Sequence, residues 1–309
     1  MTPIEYYIVD VFANQKYQGN QLAVFLDQDD QLDQHQMQNA ATEIGFAETT
    51  FIKSRQTKEG SYLVKIFDPV KEIPFAGHPT LGTAFIIGDQ LPDKRPDLVT
   101  LKLTVGEIPV SLNYVDNVIS ELTMKQVQPI FGKTFNASDL AKVFNLNVID
   151  FDHNNPIMWV TTGLPYIIVP LQSLSSTRKI NIDDQLAVDF LNKHQLIKSS
   201  HSKEITTSFF LFATEAIEDS NDIHARMLWY DGRKFVEDAA TGSANGCLLA
   251  YLLKHQIFDD NNVDLTVEQG FKINRPSFIK LNGSKTNDNY DIFIGGKCHL
   301  ISKGTWYFD

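Results

Sequence analysis

Pro74-Phe75-Ala76-Gly77-His78-Pro79-Thr80-Leu81-Gly82-Thr83-Ala84 and Asp238-Ala239-Ala240-Thr241-Gly242-Ser243-Ala244-Asn245-Gly246-Cys247-Leu248 are two versions of one phrase. Each brings a glycine to the start of an apolar helix pattern. The first continues through Leu81, Ala84, Phe85, Ile86 and Ile87, and the second through Cys247 to Leu253. A glycine at a helix start lets backbone approach a ligand closely, and the first N–H groups of the helix favour an anion. In the first copy His78-Pro79 puts proline where the first helical residue belongs, which suits its fixed φ and missing N–H. Neither helix has a continuous polar face, so each is expected to be buried on all sides and wrapped by sheet. Two such mouths predict a carboxylate-binding cleft between two similar halves.

The flanking segments repeat as well. Before the first mouth, strand patterns at Tyr6–Phe12 and Leu22–Leu26 bracket a Gly19-Asn20 turn. A helix pattern then begins near Leu32, with Met37, Ala40, Ala41 and Ile44 on one face and Gly45 as its C-terminal cap. Glu48 opens the next strand, Ala47–Lys53, and Tyr62–Phe67 leads to the mouth. Strand patterns follow at Asp97–Val105, Ile108–Tyr114 and Val118–Gln126, after which Pro129 and Gly132 mark a boundary. The second half reads as a helix at Ser138–Phe144 with Ser138 as N-cap, strands at 158–161 and 166–169, a helix at Asp183–Lys193, and strands at 208–212 and 225–229 before the second mouth. Gly77 and Gly242 lie 165 positions apart, Phe51 and Leu211 160. That near-constant offset indicates an internal duplication of a strand, strand, glycine turn, buried helix unit. The expected domains are 1–127, with the last strand at about 300–309 available to complete it, and 128–299.

Composition bounds the function. With 309 residues, 43% of them hydrophobic, the chain can bury a full core. A formal charge of −11 and the lack of any Lys/Arg block interleaved with aromatics argue against nucleic acid as a partner. The N-terminus has no basic leader and the longest apolar helix run is too short to span a bilayer, so the expectation is a cytoplasmic protein with no membrane partner. Cys247 and Cys298 fit neither a disulfide framework nor a zinc site. The eight histidines, His194, His201, His224 and His255 among them, show no His-x-His or His-Glu-x-x-His spacing, and no metal is expected.

By themselves the polar residues at the mouths have plain readings. Glu48 reads as an edge-strand glutamate facing water, His78 as a helix cap or core histidine, Asp238 as a turn-forming aspartate and Asn20 as a hairpin residue. Each also has a chemical reading. In a closed, partly dry cleft a carboxylate such as Glu48 has its pKa raised toward neutrality, which suits taking and returning a carbon-bound proton. A neutral His78 imidazole can donate to a developing enolate or carboxylate oxygen. Asp238 can hold an amine or hydroxyl, while N–H groups at Gly77 and Gly242 with the Ser243 hydroxyl can hold a carboxylate.

Taken together, Gly19-Asn20, Glu48-Thr49-Thr50-Phe51, Glu72 through Thr80, Thr162-Gly163-Leu164-Pro165 and Glu237 through Ala244 resemble, in order and over nearly the whole chain, the phenazine-biosynthesis PhzF-like family. The resemblance implies an α+β, diaminopimelate-epimerase-like fold: two similar domains, each a mixed β-sheet curled into a barrel around a central buried helix, with the active site between them. It implies a cofactor-free isomerase, commonly a homodimer, in which Glu48 moves a proton between carbons of a small cyclic amino acid, aided by His78 and Asp238. Substrate-binding roles then go to Asn20, Gly77, Gly242 and Ser243. One departure is Ala239, where the family usually has proline and its φ restraint. Two alternatives remain: a two-thiol racemase or epimerase of the same fold using Cys247, and a non-catalytic ligand-binding or interaction protein that kept the cleft. Against the thiol reading, Cys247 lies more than a turn into an apolar helix, as a small buried hydrophobe would.

Overall fold

A computed structural model describes residues 1–54, 60–91, 95–197, 206–258 and 261–309; His201 lies outside the described residues. The chain divides into two compact units, Met1–Lys125 with Gly295–Asp309, and Gln126–Ile294. These breaks fall a few residues before the expected 127/128 and 300.

The first unit runs β1 (Thr2–Val11), β2 (Asn20–Leu26), α1 (Gln34–Ile44), β3 (Glu48–Ile52), β4 (Ser61–Phe67), β5 (Glu72–Ile73), α2 (Gly77–Gln90), β6 (Leu98–Leu103), β7 (Gly106–Val115) and β8 (Val118–Lys125). β2 is antiparallel to β1 and parallel to β3. β4 is antiparallel to β3 and β5 but parallel to β6, and β6, β7 and β8 form a meander. This mixed sheet curls around α2, which packs against β1, β2, β3, β6, β7 and β8 and is buried from Gly77 to Gly88. A helix with no polar face has to be covered on every side, and the curl supplies the cover.

On the outside of the same sheet, α1 lays Met37, Ala40 and Ala41 against Ala23, Phe25, Phe51 and Phe67. β2 and β3 are therefore buried on both faces, which is why Leu22-Ala23-Val24-Phe25 is an unbroken apolar run rather than an alternating one. Phe25 and Phe51 stack with centroids 5.0 Å apart; full burial of one such ring contributes roughly 1.5–3 kcal/mol. Asp33 closes a capping box with Gln36 at the start of α1, and Gly45, in the left-handed region at φ 68°, ends it.

The second unit runs β9 (Ile130–Phe135), α3 (Ala137–Phe144), β10 (Ile157–Thr161), β11 (Pro165–Pro170), α4 (Leu174–Lys179), α5 (Asp184–Lys193), β12 (Ser208–Ala213), β13 (Ile223–Tyr230), β14 (Phe235–Asp238), α6 (Gly242–His255), β15 (Asn262–Gln269), β16 (Ser277–Thr286) and β17 (Asn289–Gly296). Its pairings repeat those of the first unit. β11 is antiparallel to β10 and parallel to β12, while β13 is antiparallel to β12 and β14 and parallel to β15. α6, buried from Gly242 to Leu253, packs against β10, β11, β15 and β16. Outside the sheet, Leu140, Phe144, Ala187, Phe190 and Leu191 of α3 and α5 pack on Ile167, Phe209 and Leu211. The last strand, β18 (Cys298–Phe308), returns to the first unit and pairs antiparallel with β1. No helix among the described residues is long and apolar enough to cross a membrane.

Several local readings change. Pro79 is the third residue of α2, not the first, because Ala76 is the N-cap; the N–H it lacks still belongs to the first turn, where none is needed. Ser138 is inside α3, whose N-cap is Asn136. Gly132 lies within β9, where an added Cβ would meet the Trp159 ring at 2.7 Å, so it marks close packing and no break. Between 225–229 and the second mouth the chain inserts β14, and α4 is a short extra helix with no apolar periodicity to announce it.

Candidate active site

In the first unit the parallel pairing of β2 and β3, with Leu22 opposite Glu48, brings the N-terminal ends of both strands side by side. Asn20 opens β2 and Glu48 opens β3, while His78 is the second residue of α2. Three residues remote in sequence meet there. Asn20 Nδ2 lies 3.3 Å from His78 Nδ1, and His78 Nε2 lies 3.3 Å from Glu48 Oε2. The second contact is within reach but lacks hydrogen-bond alignment, as is common before a substrate tightens a site. Gly19 makes the approach possible. At φ 74° it turns the chain into β2, and a Cβ there would sit 2.2 Å from the Val11 carbonyl oxygen.

Burial drives the His78 pKa down to about 3, with a hydrogen bond to the Gln21 backbone acting in the opposite direction. The imidazole is therefore neutral near pH 7, and its contact with Glu48 is not an ion pair. The first turn of α2 begins at buried Gly77 with no side-chain cap on Ala76, so its leading N–H groups have no partner within the helix.

This burial has a consequence for stability. Between pH 6.5 and about 3 the unfolded chain takes up a proton on His78 that the folded chain does not, so stability is present above pH 6.5 and falls as pH drops through that window. Urea midpoints measured from pH 7 to pH 4 are expected to fall more steeply for the wild type than for His78→Gln; equal slopes would contradict the neutral, buried imidazole.

In the second unit β14 ends at Asp238 and α6 starts at Gly242, with Thr241 as N-cap and no side-chain cap bond. Ser243 Oγ is 2.7 Å from the Tyr166 hydroxyl, both groups being buried. The Thr241 hydroxyl donates to Asp238 Oδ2. Buried Gln269, at the end of β15, reaches the same turn. It accepts from Thr241 N at 3.3 Å and donates to the Asp238 carbonyl at 3.0 Å. The turn that Ala239 leaves without a proline is thus tied by hydrogen bonds. It is also hemmed in by Gly270, at φ 77°, where a Cβ would lie 2.3 Å from the Arg275 oxygen and 2.6 Å from the Ala239 oxygen. Gly270→Ala forces one backbone segment to move and is expected to cost about 1–3 kcal/mol, read as a lowered thermal midpoint; an unchanged midpoint would show the turn to be slack.

The two units carry complementary rather than equivalent side chains. Glu48 faces Leu22 at the first parallel pair of β2 and β3, and Ser208 holds the corresponding place opposite Tyr166. Asp238 pairs with Met227, and Ile73 holds that place opposite Ile66. At the helix starts His78 is matched by Ser243. Glu48, His78 and Asp238 thus have no titratable counterpart at the matching place of the other unit, whereas Glu72 and Glu237 do match. Cys247 falls where the first unit has Gly82. Its thiol contacts Thr162 Oγ1 at 3.5 Å and the Leu164 carbonyl at 3.7 Å, and burial pushes its pKa up to about 12. Burial likewise raises the Cys298 pKa, so both remain protonated, unreactive thiols.

Sequence reasoning named Asn20, Glu48, His78, Asp238, Gly77, Gly242 and Ser243, and the structure assembles the first three around one imidazole. It did not single out Thr241, Gln269, Asn245 or Tyr166, whose roles depend on bonds spanning 24 to 77 positions in the case of Gln269 and Tyr166.

A family model described as phenazine biosynthesis-like protein matches residues 9–304. The trans-2,3-dihydro-3-hydroxyanthranilate isomerase of Pseudomonas aeruginosa is 31% identical over 273 residues, covering 88% of this chain and 87% of its own. The enzyme of that name from Pseudomonas fluorescens is 31% identical over 303 residues, covering 97% and 98%. The crystal structure of a Bacillus anthracis phenazine biosynthesis protein of the PhzF family shares the fold, with a TM-score of 0.86 at 24% identity over 100% of both chains. The chain therefore belongs to the phenazine biosynthesis-like, PhzF-like family and is an isomerase of that family.

Proposed function

We propose that this isomerase moves a proton between carbons of a small cyclic amino acid with Glu48 as general acid/base. The observation that carries the reading is the Asn20–His78–Glu48 cluster at the start of α2, in which a neutral imidazole stands 3.3 Å from a carboxylate. In the reaction Glu48 takes a proton from an sp³ ring carbon, and the electron pair enters the adjacent π-system. The same carboxyl group then returns the proton to another carbon of that system, so the double bond shifts and no net charge is left. Neutral His78 donates to the oxygen on which charge develops, since as an acid it is far weaker than an imidazolium and gives a hydrogen bond without losing its proton. Asp238 holds a substrate amine or hydroxyl. Substrate-binding roles go to Asn20 and the Gly77 N–H in the first unit and, in the second, to the Gly242 N–H and the Ser243 hydroxyl, donors that suit a carboxylate.

No cofactor enters this chemistry. The names of two relatives, trans-2,3-dihydro-3-hydroxyanthranilate isomerases, support this substrate class, since that ring bears the carboxylate, amine and hydroxyl that these groups suit. A cytoplasmic homodimer is the form we expect. The test is proton NMR of trans-2,3-dihydro-3-hydroxyanthranilate with the purified protein in D2O. Isomerisation or deuterium entering a ring C–H position supports the reading; binding without either would favour a ligand-binding role, and no binding would exclude this substrate.

A further inference from the structure

Four side chains around the start of α6 form a hydrogen-bond network whose direction is set by the backbone. Gln269 Oε1 accepts from Thr241 N, a group that can only donate, and Gln269 Nε2 donates to the Asp238 carbonyl, a group that can only accept. The amide of Gln269 is therefore oriented without ambiguity. Its Nε2 also reaches Thr241 Oγ1 at 3.0 Å, so the hydroxyl accepts there and must spend its own proton elsewhere. The neighbour that takes it is Asp238 Oδ2. Asn245 follows the same logic. Its Nδ2 donates to the Thr241 carbonyl at 2.9 Å and to Gln269 Oε1 at 3.3 Å. Among the described residues the Gln269 side chain, 0% exposed, thus places its four hydrogen bonds on residues 238–245.

We propose that Gln269 is a positioning residue which, through the Thr241 hydroxyl, sets the orientation of the Asp238 carboxylate. The chain runs from a buried amide to a hydroxyl to a carboxylate oxygen, each bond forcing the polarity of the next. A glutamine that only filled space would not need this polarity, whereas an acceptor at 269 in place of the Nε2 donor reverses it. The Thr241 proton then turns toward residue 269 and leaves Asp238. The importance of this for turnover rests on the proposed role of Asp238, but the hydrogen-bond path does not.

The test uses [4-13C]aspartate-labelled protein, in which the resonance missing from Asp238→Asn identifies the Asp238 carboxyl group. Thr241→Val and Gln269→Glu are expected to move that resonance in the same direction at fixed pH, and Thr241→Ser to leave it in place. With trans-2,3-dihydro-3-hydroxyanthranilate, kcat is expected to fall about tenfold in Thr241→Val and in Gln269→Glu, with no further fall in the double variant and with KM within twofold. Thr241→Ser retains wild-type turnover. Should Gln269→Glu fail to fold, the Thr241 pair carries the test. An Asp238 resonance unmoved in Thr241→Val, or additive losses in the double variant, overturns the proposal. If the resonance moves as expected while Asp238→Asn turns over normally, the path stands and the role of Asp238 in the reaction falls.

Discussion

Glu48→Gln is expected to lose proton transfer while keeping the ligand. Loss of a positioned general base typically lowers the rate by roughly 10²–10⁴-fold. His78, the neighbouring nitrogen base, is held by burial at a pKa of about 3, so at neutral pH it is too weakly basic to take a carbon-bound proton. The amide of glutamine has the size and planarity of the carboxylate, so Asn20 and His78 keep their packing and the KM is expected to change by no more than a few-fold. The measurement is deuterium incorporation into trans-2,3-dihydro-3-hydroxyanthranilate by the variant and wild type side by side. Exchange in the variant at a rate within threefold of wild type would remove Glu48 as the base and redirect attention to Asp238.

The largest effect on stability is expected at Arg226→Met. Arg226 binds both carboxylate oxygens of Glu237, through Nε at 3.1 Å and a terminal nitrogen at 2.7 Å, and its other terminal nitrogen donates to the carbonyls of Thr177 and Ile180. Both charged groups are more than nine-tenths buried. Methionine fills much of the volume but leaves the Glu237 carboxylate and two carbonyls at the end of α4 without their donor, a loss of about 3–5 kcal/mol. Adding Glu237→Met removes the stranded charge and is expected to restore more than half of that loss. Urea unfolding of the two single variants and the double variant measures this. A single variant within 1 kcal/mol of wild type would mean that water reaches the site and takes over the guanidinium's bonds. Because Glu237 precedes Asp238 on β14, the variant also tests how far the second glycine mouth depends on this anchor.

The fold was largely legible because its decisive feature is local. A helix without a polar face announces that it will be surrounded, and the chain has two of them, each behind a glycine turn. The same reasoning explains the unbroken apolar β2, which lies between two helices. The boundary elements were less legible. Gly132 carries the composition of a turn but serves as a strand residue under Trp159, and Asn136 rather than Ser138 precedes α3 because either residue type suits that place.

For the site, the motifs around Gly19-Asn20, Glu48 and His78 identify the residue types, and parallel pairing of β2 with β3 decides that they meet. Nothing in Gln269-Gly270 distinguishes a glutamine that ties down a turn about thirty positions earlier from one exposed at the end of a strand. Likewise the neutral state of His78 comes from its surroundings, since an imidazole exposed to water would titrate near its ordinary value. Amphipathic pattern, glycine placement and helix polarity are properties of neighbours in the chain, and they determine two sheet-wrapped helices with polar residues at their starts. Which of those residues touch, which way each hydrogen bond points and which groups keep their protons depend on burial and on partners brought from distant strands, and these only the tertiary structure decides.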